Sequence, residues 1–84
     1  MEEFKQYRRK GLSEMREVTQ DDIDFFKTWN YISEGFQIYV SISQADLNNG
    51  SPKIGDMIAR NPKDHDDVWL VAEAYFNDNL ELVE

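Results

Sequence analysis

Gly55-Asp56-Met57-Ile58-Ala59-Arg60-Asn61-Pro62-Lys63-Asp64-His65-Asp66-Asp67-Val68-Trp69-Leu70-Val71 is the stretch on which the reading of this chain turns. Two runs of β-forming residues, Asp56 to Arg60 and Val68 to Val71, flank a polar segment, and that arrangement reads as a hairpin. Gly55 opens the first strand, and Asn61-Pro62 closes it because proline cannot donate to a central ladder. The polar loop from Lys63 to Asp67 leads back into the second strand. Beyond it, Ala74-Tyr75-Phe76 marks a short helix over Glu73 to Asn79, followed by an extended tail at Leu80 to Val83. The spacing of Val68, Val71, Ala72, Tyr75 and Phe76 also fits one long helix from Asp66. The adjacent β-formers Val68-Trp69-Leu70-Val71 favour the strand.

Working back toward the N-terminus, Phe36, Ile38, Val40 and Ile42 alternate with Gln37, Tyr39, Ser41 and Ser43. Period-two alternation predicts a half-buried strand with one apolar face. Ser43 is placed to cap a short turn at Gln44 to Leu47, and Asn48-Asn49-Gly50-Ser51-Pro52 has the chemistry of a loop. Upstream, Thr19 followed by Asp21-Asp22 is a helix start, with a capping oxygen and acidic residues at the positive end of the dipole. Phe25, Phe26, Trp29 and Ile32 then share one stripe of a helix, with Ile23 and Tyr31 off it. Ile23, Phe25, Trp29 and Tyr31 would also suit a strand; the helix is preferred. Met15 and Val18 permit a short strand from Ser13, while residues 1–12, interrupted by Gly11, predict a frayed or short helical lead-in. The architecture expected is α+β in a single domain of residues 1–84: a small, mostly antiparallel sheet of about four strands with one or two short helices packed on it.

At 84 residues with no cysteine, the chain must hold one small core without disulfide or thiolate-metal staples. Its 13% aromatic content partly compensates, since large rings bury much apolar area. No apolar run is long enough to span a membrane, and Met1-Glu2-Glu3-Phe4-Lys5 lacks the features of a signal peptide, so an intracellular protein is expected. The net charge of −8 argues against a protein whose main task is to grip nucleic-acid phosphates. The charge is uneven, with residues 1–16 at +2 and the remaining 68 residues at −10. Arg8, Arg9 and Lys10 form a candidate basic patch in that N-terminal segment.

The residues also carry a resemblance. A segment like Tyr7-Arg8-Arg9-Lys10 leading to Glu14-Met15-Arg16 precedes a strand like Val40-Ser41-Ile42-Ser43. Next come a loop like Asn49-Gly50-Ser51-Pro52-Lys53, the motif Gly55 to Pro62, then His65, Asp67, Trp69-Leu70-Val71, Tyr75-Phe76, Asn79 and Glu81. This pattern resembles small uncharacterised proteins of tailed bacteriophages and prophages. It covers residues 7–16 and 40–81, and it makes Gln20 to Phe36 look like a family-specific insertion. What the resemblance implies is an origin, with action in the cytoplasm of a bacterial host, and no particular activity.

The candidate sites point away from catalysis. Asp64, His65, Asp66 and Asp67 offer metal donors, but consecutive loop positions rarely converge and no calcium-loop pattern is present. The expected role is turn capping by Asp64 or Asp66, with His65 bonded to a backbone group. His65 with Ser51 or Asp56 lacks the strained elbow of a hydrolase, and Gly50 and Gly55 lack phosphate-loop spacing. No enzyme, cofactor or metal is therefore expected. Arg60 is placed to brace the hairpin through Asp56 or Asp67, or to anchor a partner. Trp69 is expected in the core, and Phe25, Phe26, Trp29 and Tyr31 exceed what so small a core can bury. The candidate partner contacts are thus Arg60, Asp64, His65, Asp66, Asp67, Phe25, Trp29 and Tyr31. The function expected is a phage or prophage accessory protein acting by protein–protein contact, inhibiting a host or defence protein, with an acidic surface able to imitate DNA. The alternatives are a structural or assembly component of the phage particle, which oligomerises or joins a virion part, and a nucleic-acid-associated module using the basic N-terminal segment.

Overall fold

An inner strand of the sheet is buried on both sides because Met57, Ile58 and Ala59 are consecutive apolar residues in an extended segment. The computed structural model describes residues 4–8, 12–79 and 81–82. In chain order the elements are β1 (Lys5–Arg8), β2 (Leu12–Glu17), α1 (Gln20–Trp29), β3 (Ser33–Gly35), β4 (Ile38–Tyr39), α2 (Gln44–Asn48), β5 (Met57–Asn61), β6 (Asp64–Val71), α3 (Glu73–Asn79) and β7 (Glu81–Leu82). Five strands form one antiparallel sheet in the order β6-β5-β2-β1-β7, and β3 and β4 make a separate hairpin. The chain is an α+β protein.

Register divides the sheet residues between two faces. Arg16 pairs with Ile58, which pairs with Leu70, while Met15 pairs with Ala59, which pairs with Trp69. One face holds Val18, Ile32, Val40, Ile58, Val68 and Leu70, covered by Ile23 and Phe26 of α1 and by Ile38 and Ile42. The other face holds Met15, Met57, Ala59 and Val71, packed by Trp69 and by Phe76 of α3. The sheet is thus a middle layer between α1 with its hairpin and α3.

Several elements lie where the local pattern puts them. Thr19 caps α1 in a full capping box with Asp22, and Ser43 caps α2 through the Asp46 N–H. Ser51-Pro52 forms a cis peptide within the predicted loop. Other expectations change. The lead-in contains a strand, β1, because its backbone pairs with β2 and β7, partners that local periodicity does not reveal. The alternating stretch 36–42 is only partly a strand: Phe36 and Gln37 form the hairpin turn, with Gln37 at φ 60, and Phe36 is left 90% exposed. Ser41 then bridges to the edge of β6, its N–H donating to the Val68 carbonyl and its carbonyl accepting from Leu70. The predicted loop at 63–67 also shortens. Asn61 already pairs with Asp64, and the register then shifts so that Val68 faces Arg60, leaving His65, Asp66 and Asp67 as a bulge. The segment 20–36 is built into the core through Ile23, Phe26 and Ile32.

Candidate functional site

The short C-terminal turn of α1 begins the site. Asn30 adopts a left-handed conformation at φ 64 and donates its N–H to the Phe26 carbonyl at 2.7 Å, so the chain reverses just after Trp29. Ile32 then enters the core, which turns its neighbour Tyr31 outward. In the hairpin, Ser33 pairs with Tyr39, and Val40 goes inward while Tyr39 goes outward. The outcome is a chain of rings on the surface. Trp29 lies 6.4 Å from Phe25 between centroids, Phe25 stands edge-on to Tyr31 at 5.4 Å, and Tyr31 stands edge-on to Tyr39 at 5.1 Å. Trp29 and Tyr39 are 59% and 56% exposed, so a large apolar area stays in contact with water. Asp21, four residues before Phe25, shares its helix face and adds an exposed carboxylate beside the rings.

The side of α1 that meets the core corrects the helical stripe read from spacing. Ile23 and Phe26 pack inward, whereas Phe25 and Trp29 face out. The reason lies beneath the helix, where Arg16 of β2 holds the N-terminal end of α1. Its Nη1 and Nη2 donate to the Asp22 carboxylate at 2.7 and 3.0 Å, its Nε and Nη2 to Glu34 at 3.1 and 2.7 Å, and Nη1 also to the Glu17 carbonyl at 3.1 Å. All five guanidinium N–H groups are used. Burial works against the Arg16 charge, but the hydrogen bonds and charges of Asp22 and Glu34 outweigh it and raise its pKa. Burial likewise disfavours the Asp22 carboxylate, but Arg16 and the Thr19 N–H overcome this and hold its pKa down. This clamp joins β2, α1 and β3, and so fixes the platform that carries the rings.

The other candidate contacts form a second group. Arg60 donates from Nε to Glu14 at 2.7 Å, and its guanidinium carbon lies 4.1 Å from the centroid of the Phe4 ring. It braces β5 against β2 through Glu14, not through Asp56 or Asp67 as expected, because Glu14 is its direct cross-strand partner. His65 Nε2 lies 3.3 Å from the same Glu14 carboxylate, rather than on a backbone group. Asp64 accepts the Asp66 N–H at 3.1 Å, the predicted turn cap. Asp64, Asp66 and Asp67 are exposed, and no three acidic or imidazole side chains among the described residues converge to hold an ion. Of the basic patch, Arg8 lies on β1 opposite Leu12, and Arg9 and Lys10 fall outside the described residues.

Asp56 has a different role, as a fully buried hub. Its carboxylate accepts from Ser51 Oγ at 2.7 Å, from the Lys53 N–H at 3.0 Å and Nζ at 2.9 Å, and from the Glu73 N–H at 2.9 Å. Burial opposes its charge, yet these donors, led by Ser51 and Lys53, keep its pKa below the usual range. Spacing alone missed this hub and also missed Tyr39. The available signal for Tyr39 was a large aromatic on the solvent side of an alternating run. No helix among the described residues is long and apolar enough to cross a membrane. Comparison of the chain with protein-family models, with curated proteins and with solved structures finds no match.

Proposed function

We propose that this chain is a non-enzymatic binding protein that docks a basic surface of a partner protein onto the ring surface of Phe25, Trp29, Tyr31 and Tyr39. The observation that carries this reading is the exposure of four touching aromatic rings in a domain too small to leave such area idle. Exposed aromatic rings are the side chains that most often anchor interfaces. Their faces attract cations, Asp21 adds a carboxylate at the rim, and the net charge of −8 steers a basic partner. The resemblance to tailed-phage and prophage proteins makes a host or defence protein the partner, met in the bacterial cytoplasm. A nucleic-acid enzyme, whose basic groove an acidic protein can occupy, fits the same chemistry.

The test is capture from bacterial lysate with the intact protein and with the double variant Trp29→Ser, Tyr39→Ser, after thermal melting shows that both are folded. One stoichiometric partner, lost with the double variant, is the expected result. The same partner held equally by both proteins, or association of the protein only with itself, overturns the reading in favour of a different surface or an assembly role.

A further inference from the structure

At the C-terminal end of the edge strand β6, Asp46, Trp69, Leu70, Val71, Ala72 and Tyr75 line a cleft of about 280 Å³. That lies just under the roughly 300–1,000 Å³ of sites that take whole small molecules, and it suits one long side chain. Trp69 projects from β6 toward α3, and Tyr75 of α3 is 42% exposed, so two aromatic side chains border the opening. Asp46 comes from α2. Its backbone is committed, with the N–H donating to Ser43 Oγ at 3.1 Å and the carbonyl accepting from Asn49 and Ser51 at 3.1 and 3.0 Å. Its carboxylate has no hydrogen-bond or ion-pair partner among the described residues, although Asp46 is half-buried. Among the described residues, no lysine or arginine contributes to the lining.

A part-buried carboxylate without a counterion, set beside tryptophan and tyrosine, is the complement of an organic cation. Between the two protein cations, arginine fits better. Its guanidinium is flat, weakly hydrated, able to stack on a ring and to pair with a carboxylate through two N–H groups, whereas an ammonium is a strongly hydrated point charge. We infer that the cleft between β6, α2 and α3 receives an arginine side chain of a partner protein, with Asp46 as its ion pair and Trp69 and Tyr75 as its walls. This site shares no residue with the ring surface and does not depend on it.

The probe is N-acetyl-L-arginine N-methylamide, titrated into the ¹⁵N-labelled protein while the Trp69 indole N–H signal is followed by NMR. The variant Trp29→Phe leaves Trp69 as the only indole and identifies its signal. A saturable shift in the millimolar range is expected, weakened at least fivefold in Asp46→Asn and abolished in Ala72→Met, which fills the cleft without removing a charge. The lysine analogue should bind more weakly and the neutral norleucine analogue should leave the signal in place. Equal shifts with arginine and norleucine, or unchanged binding in Asp46→Asn, overturn the inference. Equal binding of lysine and arginine removes the guanidinium assignment, and a clear preference for free L-arginine over the capped form replaces the partner side chain with a metabolite. The ring-surface variants Trp29→Ser and Tyr39→Ser should titrate like the unaltered protein, so failure here is distinct from failure of the proposed function.

Discussion

Arg16 illustrates how one side chain can organise a small fold. Its charge is buried, but each N–H meets an acceptor and two carboxylates balance it, so the desolvation cost is compensated locally. Removing it strands Asp22 and Glu34 in a part-buried setting. Arg16→Ala is therefore expected to destabilise by about 3–5 kcal/mol in urea unfolding, the range for breaking a buried pair from one side. Arg16→Lys should recover only part of this, because a point charge cannot serve two carboxylates in a plane. Acid tests the same groups from the other side. Asp22 and Asp56 bind protons more weakly in the folded chain than in the unfolded one. Their contribution is thus fully present above the ordinary carboxylate pKa of about 4 and is lost as pH falls through the lower folded values. Urea midpoints should change little from these two groups between about pH 7 and 5 and drop steeply below about pH 4.

Among the elements, α1 and the loop before β5 depend on local geometry that can be probed singly. Thr19 accepts the Asp22 N–H at 3.2 Å, and Asp22 accepts the Thr19 N–H in return at 2.8 Å. Thr19→Ala should cost about 1 kcal/mol by chemical denaturation, the usual worth of an N-cap. Gly55 sits at φ +105, and a methyl group there would run into the Glu73 carboxylate. The side chain of Glu73 is exposed and can swing away, but the backbone strain stays, so Gly55→Ala should cost about 1–3 kcal/mol. A change smaller than about 0.3 kcal/mol at either position would contradict the roles given to them. By contrast, Trp29→Ser should move stability by less than about 0.5 kcal/mol, because α1 is held through Ile23, Phe26 and the Arg16 clamp instead.

For the whole molecule, charge and shape act together. In the proposed function the net charge of −8 attracts a basic partner across the solvent, and the rings supply short-range contact area. Association measured by calorimetry against the captured partner should weaken as salt rises, since added ions screen the long-range component. The Trp29→Ser, Tyr39→Ser variant should lose affinity at every salt concentration, because it removes the contact and not the field. A salt-independent affinity would contradict the electrostatic half of the proposal.

Much of the fold can be read along the chain. The caps at Thr19 and Ser43, the two β-runs about Asn61-Pro62, and the short helix at Glu73 to Asn79 all follow from backbone preferences that a few neighbouring residues specify. The aromatic excess over core capacity was also legible, in Phe25, Phe26, Trp29 and Tyr31, and of these Phe26 packs against the core. Which rings face inward was not, because Phe25 and Phe26 are equally apolar and only the limited area of one sheet face chose Ile23 and Phe26. The pairing of Arg60 with Glu14, 46 positions away, of Arg16 with Glu34, 18 away, and of Asp56 with the Glu73 N–H, 17 away, was equally hidden. Local pattern sets dihedral angles over a few residues, and so it determined the two caps, the two β-runs and the C-terminal helix. Strand register and the finite space above the sheet set long-range pairing, and these decided the Arg16 clamp, the Asp56 hub and the surface on which the rings meet.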